Sequence, residues 1–330
     1  MKQHTLSKTA ERIYWLGRYL ERAESTARLV NVNGNLLIDL PRRIQLSWVA
    51  LIDIMGMRAQ FYEHYDTPDE RNVVRFLVTD MNNSGSLLTS LSMARENART
   101  IREIMPRVAF EYINDLYLYA KERASGAMSR SRTSETMEGV MRRVQHIAGF
   151  LSGSMLHGDT WSFLRIGEFI ERADMTTRII DVRSVDLQDT AGLEPYSQLQ
   201  WRSVLRSLHA LQAFHLAVQE PIQRSLVLDF LFTNDALPRS LAYCTSRIRS
   251  WLRSLPRNQK PMNAINRVIR FLDSVDVATL QDAELHTFID DCQRHLSYLD
   301  KEIDRTYFHA RLRLAERQSQ TQRTRSTTSA

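Results

Sequence analysis

The chain has 330 residues, only 11 of them Gly and 8 Pro, which argues against a strand-rich sandwich or barrel with a turn residue at every reversal. Its 43% hydrophobic and 25% charged residues exclude disorder of the body and a disulfide scaffold, and they suffice for a large core. The net charge of +6 sits mostly in residues 311–330, with five Arg and one Glu; the other 310 residues carry +2, too little for a nucleic-acid footprint. Arg outnumbers Lys 39 to 5, so any carboxylate or phosphate would be met by planar forks rather than ammonium charges.

In chain order, a helix opens after Ser7 or Thr9. Its apolar or small residues fall at Ile13, Leu16, Leu20, Ala23, Ala27 and Val30, the 3-4 spacing of one buried helical stripe. Pro41 ends it. A second helix is expected over 45–65, carrying Trp48, Leu51, Ile52 and Met55. The polar run 66–70 caps a third near Arg71, and 82–85 is a loop. Helices follow over 86–105 and 106–122, then a polar linker over 125–134 and a helix over 135–150. Nowhere do 18 apolar residues run together, so no membrane span is expected, and the N-terminus lacks a signal-peptide run. A cytoplasmic protein is the simplest reading. Cys244 and Cys292 have no metal-ligand spacing and are expected as buried free thiols.

The second half resembles the first. Residues 17–30 match 167–180 at offset 150, with six of fourteen positions identical: Gly17, Glu21, Arg22, Ala23, Thr26 and Arg28 against Gly167, Glu171, Arg172, Ala173, Thr176 and Arg178. Further matches follow in order: Trp48 with Trp201, 76–80 with 230–234, Ser90-Leu91 and Arg99 with Ser240-Leu241 and Arg249, and 112–115 with 288–291. The fold expected is all-α: a multi-helix bundle of two duplicated halves, 1–150 and 151–310, packed about a pseudo-two-fold axis. Residues 311–330 read as a disordered basic tail.

On a helix, Gly17, Glu21, Glu24 and Arg28 form one edge beside the apolar stripe, and Gly167, Glu171, Asp174 and Arg178 form the corresponding edge. Arg22 and Arg172 lie on another flank. Glu24 with Arg28 and Asp174 with Arg178 are i,i+4 pairs in the favourable order. A structural Glu–Arg network and a ligand or partner site are both open to this set. A second candidate is Arg95-Glu96-Asn97-Ala98-Arg99, where Glu96 meets Arg99 at i+3; a solvated charged face is its bland reading. Tyr307-Phe308-His309 reads as a packing anchor. No phosphate loop, HExxH, CxxC, EF-hand or GxSxG spacing occurs, and Glu284 with His286 has the wrong spacing for a carboxylate-bridged metal. No cofactor and no metal are expected, and no catalytic residue is assigned.

The opening run from Ser7 to Arg28, with its Trp15-Leu16-Gly17 and Glu21-Arg22-Ala23-Glu24, resembles that of the bacterial alpha-E family, all-helical proteins named for a Glu-Arg motif. Arg95-Glu96-Asn97-Ala98-Arg99, Glu171-Arg172-Ala173-Asp174, Leu237-Pro238-Arg239-Ser240 and Thr306-Tyr307-Phe308 are similar to further landmarks of that family. The likeness covers about residues 1–310, and Ile13 departs from the usual residue there without consequence. It implies a place in bacterial systems that also encode a circularly permuted ATP-grasp ligase and a transglutaminase-like peptidase, machinery suited to forming and processing amide bonds. The expected function is therefore a non-catalytic helical partner or scaffold for such a ligase. The alternative is an enzyme acting on acidic peptides, with Glu21 or Glu171 as general base and arginines clamping the substrate.

Overall fold

The computed structural model describes residues 7–39, 48–124, 129–186 and 194–309. Among them the chain is all-helical. In the first half the helices are α1 (Ser7–Asp39), α2 (Val49–Ile54), α3 (Arg58–Tyr62), α4 (Glu70–Val78), α5 (Leu87–Thr100), α6 (Arg107–Arg123) and α7 (Arg130–Ser154). The second half holds α8 (Asp159–Asp186), α9 (Glu194–Ser207), α10 (Leu211–Val218), α11 (Arg224–Thr233), α12 (Leu241–Ser254), α13 (Gln259–Leu272) and α14 (Asp282–Ile303), which runs into a π-helical turn, Asp304–Phe308. No described helix is long and apolar enough to cross a membrane. The Pro41 stop, part of the 125–134 linker and the 311–330 tail lie outside the described residues.

The two long helices α1 and α8 form the centre and pack on each other more extensively than any other pair. The stripe expected on α1 is buried (Ile13, Leu16, Leu20, Ala23, Ala27 and Val30), and so are the residues at the corresponding positions of α8, Phe163, Ile166, Ile170, Ala173, Thr177 and Ile180. Around α1, the helices α5, α6 and α7 pack in succession, with α5 and α7 seated on α1. Around α8, α12, α13 and α14 do the same, with α12 and α14 seated on α8. The shorter helices cross between the halves: α2 packs on α8, and α9 touches both α1 and α8. Outer helices such as α13 bury a single stripe (Ala264, Ile265, Val268). At the centre α1 is buried on more than one side: Tyr14, Glu21, Glu24 and Arg28 are buried as well as its stripe.

Several expectations are corrected. The helix expected over 45–65 is two short helices, because Gly56 takes a left-handed backbone (φ +68°) between them that a side chain resists. The helix after the linker begins at Arg130, capped by Ser129, rather than at Glu135, and continues to Ser154. The helix expected over 86–105 stops at Thr100. Asp69 caps α4 as expected, its carboxylate accepting from the Asn72 amide at 2.8 Å. The match of Ser90-Leu91 and Arg99 to Ser240-Leu241 and Arg249 is one turn out. Ser86 caps α5 and Ser240 caps α12, so these helices stand at offset 154, like 76–80 and 230–234. The match of 112–115 to 288–291 sets α6 against α14, which have different neighbours. Tyr307 and Phe308 are buried beside Phe163 and Tyr14, the anchor the sequence suggested. Both cysteines are buried and free.

Candidate functional site: a glutamate–arginine clamp between two central helices

The close approach of α1 and α8 rests on two glycines. A β-carbon on Gly17 would collide with the Leu164 carbonyl oxygen, and one on Gly167 with the Tyr14 carbonyl oxygen. With backbones this near, side chains one turn further along reach the opposite helix. Arg22 grips Glu171 with both edges of its fork, Nε to Oε1 at 2.5 Å and Nη2 to Oε2 at 3.0 Å. Arg172 reaches back to Glu21 Oε2 from Nη2 at 2.6 Å and Nε at 3.2 Å. The exchange is reciprocal: each motif's arginine holds the other motif's glutamate.

Neither glutamate stops at one partner. Glu171 also accepts from Arg18 Nε at 2.8 Å, and Arg18 Nη1 continues to Asp300 Oδ1 of α14 at 2.9 Å. The Tyr14 hydroxyl donates to the same Asp300 carboxylate. On the other side, Glu21 Oε1 accepts from Arg239 Nη1 at 2.8 Å, and Arg239 Nη2 approaches Glu24 at 3.4 Å. Glu24 in turn accepts from Arg28 and from Gln145 of α7. Arg172 also donates to Glu168 at 2.6 Å, and Glu168 accepts from Arg165 at 2.6 Å.

Glu21 and Glu171 are each only 2% exposed. Burial opposes their charging, but the guanidiniums outweigh it. Arg172 and Arg239 hold the Glu21 carboxyl well below the usual carboxylate range, and Arg22 and Arg18 lower that of Glu171 to about 2. Arg172 moves upward, since Glu21 and Glu168 outweigh its own burial. Arg28, 1% exposed, moves the other way, to about 10, because burial and the nearby Arg239 both disfavour its charge.

The sequence placed Glu21, Glu24 and Arg28 on a helix edge; the structure puts them inside. That edge of α1 faces α7, α8 and the 238–239 segment rather than solvent. The second set divides: Glu171 is buried and Arg172 nearly so, whereas Asp174 and Arg178 form a half-exposed pair at 2.8 Å. The Arg95–Arg99 candidate is not drawn into this site. Arg95 Nε donates to Asn114 of α6 at 2.7 Å, and Glu96 with Arg99 is an exposed i,i+3 pair.

Residues missed from the sequence are Arg18, Arg165, Glu168, Arg239 and Asp300. Arg239 had a signal, since Pro238-Arg239-Ser240 stood out as a landmark. Asp300 had none, because only the fold of α14 brings it there. The fold also gathers Asp181 of α8 with His286 and Asp290 of α14 within 4.8 Å. Asp181 and His286 already engage each other at 2.7 Å, with His286 and Asp290 half-exposed.

Two clefts flank the crossing. One, of about 290 Å³, lies between α1, α7 and α8 and holds Glu21, Glu24, Glu168, Arg165, Arg172 and Arg239 along one wall. The other, of about 560 Å³, lies on the α14 side, with Arg18, Asp174, Arg178, Asp290 and Asp300 among its lining residues.

Residues 5–308 match the model of Alpha-E, described as a predicted alpha-helical domain with a conserved ER motif. The chain belongs to the Alpha-E family. In this Alpha-E protein the two Glu-Arg pairs are the reciprocal clamp. The chain is 21% identical over 266 residues to an uncharacterised protein of Mycobacterium bovis and to one of Mycobacterium tuberculosis strain CDC 1551. It is 20% identical to one of Mycobacterium tuberculosis strain H37Rv. Each match covers 74% of this chain but only 29% of the relative. The Alpha-E chain thus spans less than a third of the length of the curated relatives it matches. No solved structure matches it.

Proposed function

We propose that this Alpha-E protein is a non-catalytic helical partner or scaffold for an ATP-grasp-type ligase, in a system with a transglutaminase-like peptidase that forms and processes amide bonds. The observation that carries the reading is the commitment of the motif. Glu21, Arg22, Glu171 and Arg172 are each engaged across the α1–α8 crossing. A carboxylate gripped by two guanidiniums, with its pKa held far below neutrality, is a poor general base, because proton transfer is best served near the working pH. That weakens the alternative of an enzyme using Glu21 or Glu171 on acidic peptides.

In the same reading the chain is an internal duplication, with halves 1–150 and 151–310 forming one unit about a pseudo-two-fold axis, in the cytoplasm. Supporting it are the reciprocal glycine contacts, the reciprocal Glu–Arg pairs and the like order of helices around α1 and α8. The test is co-purification of the full chain with the products of its neighbouring genes, with and without ATP, an ATP-grasp-type ligase being the partner expected. Stable association is the expected result. Turnover of amino acids or peptides by the purified chain alone would overturn the reading.

A further inference from the structure

Contacts on the α7 side of the crossing run as one unbroken series: Arg28, Glu24, Arg239, Glu21, Arg172, Glu168, Arg165. It begins and ends on arginine, so four guanidiniums face three carboxylates. At both ends the Nε atom is buried without a hydrogen-bond partner among the described residues. An excess charge in a desolvated setting costs several kcal/mol unless something answers it. The depressed pKa of Arg28 shows the same strain, yet at about 10 it leaves the group charged at neutral pH.

Six of these seven groups, all but Arg28, line the 290 Å³ cleft, and its apolar lining is Leu20, Val144, Leu151, Leu164 and Trp161. His209 also lines the cleft. Its backbone is left-handed at φ +52°, a conformation that is strained for a non-glycine residue and clusters at ligand sites. Partial burial, with Arg28 and Arg239 nearby, lowers its pKa to about 4, so it is neutral at pH 7 and able to hydrogen-bond without adding charge.

We propose that the cleft between α1, α7 and α8 binds a small monocarboxylate with an apolar or aromatic body, such as an N-acylated amino acid. The series as a whole, with Arg28 on Glu24 counted, carries one excess positive charge, which fits a monoanion better than a doubly charged phosphate. Of the arginines that line the cleft, Arg165 offers a buried Nε without a hydrogen-bond partner among the described residues; its planar guanidinium suits a carboxylate, and the apolar walls suit the body of the ligand. The volume is at the small end for ligand sites, enough for one amino acid derivative. The site stands apart from the partner reading. A failed co-purification leaves it standing, and a failed titration leaves the partner reading standing.

Calorimetric titration of the full chain at pH 7 with N-acetyl-L-phenylalanine, and in parallel with its uncharged carboxamide, tests the proposal. Saturable one-to-one binding of the acid is expected, with the carboxamide at least about tenfold weaker, the equivalent of about 1.4 kcal/mol. No saturable binding of the acid up to millimolar concentration, or equal binding of acid and carboxamide, overturns it. Both comparisons use the unaltered chain, so they hold even if a variant fails to fold. Position is tested by Ala148→Trp, which fills the cleft from α7, against Ser297→Trp in the α14-side cleft. A folded Ala148→Trp should lose at least tenfold in affinity while Ser297→Trp binds as the parent does. The reverse pattern places the ligand elsewhere and overturns the assignment.

Discussion

The two sides of the α1–α8 crossing use the same motif and reach different electrostatic ends. On the α14 side the series is Arg22, Glu171, Arg18, Asp300, two guanidiniums for two carboxylates. On the α7 side it is seven groups long and carries one surplus cation. A closed, balanced set is what a purely structural buried network requires, since each charge must recover its desolvation from its neighbours. The difference teaches that a motif can be structural on one face and leave an unanswered charge on the other. What separates them is the residues outside it: Arg239 and Arg165 on one side, Asp300 on the other.

The largest effect should come from neutralising the glutamates. Glu21→Gln leaves Arg172 only Glu168 and Arg239 only Glu24, raises the α7-side surplus to two positive charges, and should cost about 3–5 kcal/mol in urea unfolding. Glu171→Gln takes the carboxylate from Arg22 but leaves Arg18 its bond to Asp300 and creates a surplus of one charge on the α14 side, so it should cost less, about 2–3 kcal/mol. Equal losses would erase the distinction between the sides. Losses under about 1 kcal/mol in both variants, together with lost association, would show that the clamp serves a ligand or partner rather than the fold.

Acid should reveal the same groups in the unaltered protein. Both glutamates have depressed folded pKa values, so their contribution is complete above the unfolded value of 4.5 and is lost as pH falls toward about 2. For Glu171 alone that is on the order of 3 kcal/mol. Stability from this source should be flat between pH 5 and 8 and fall between pH 4.5 and 2, and Glu171→Gln should shed its part of the fall. An unfolding free energy independent of pH down to 2 would contradict the pairing.

Gly17→Ala and Gly167→Ala test the crossing itself. In each case the new methyl meets a backbone carbonyl, which cannot swing aside as a side chain would, so a loss of about 1–3 kcal/mol is expected by thermal or urea unfolding. A stabilised variant, gaining only the helix propensity of alanine, would mean that the helices do not approach so closely. The smallest effect belongs to Arg99→Ala. Its partner Glu96 is exposed with it, and exposed pairs contribute little, so the melting temperature should not move measurably.

Much of the fold was legible because it is local. The stripes of α1 and α8, the Asp69 cap and the 82–85 loop follow from residues near one another in sequence. The boundaries that misled were also local but ambiguous. Gly56 splits a run that otherwise reads as helix, and Ser129 starts α7 inside a polar stretch that reads as linker. The one-turn slip between Ser90 and Ser240 arose because serine-leucine pairs are common, whereas the caps align on Ser86.

The sequence by itself determined that this chain is all-helical, that its Glu-Arg motif occurs twice, and that each motif borders an apolar helical stripe. Helical periodicity and short-range capping carry that information in neighbouring residues. Only the tertiary structure decided that Glu21 pairs with Arg172 and Arg239, that Glu171 pairs with Arg22 and Arg18, and that Glu24 and Arg28 are interior while Asp174 and Arg178 reach solvent. A carboxylate's partner is set by which helices approach within a few ångströms, here through Gly17 and Gly167, and that depends on residues about 150 to 280 positions apart.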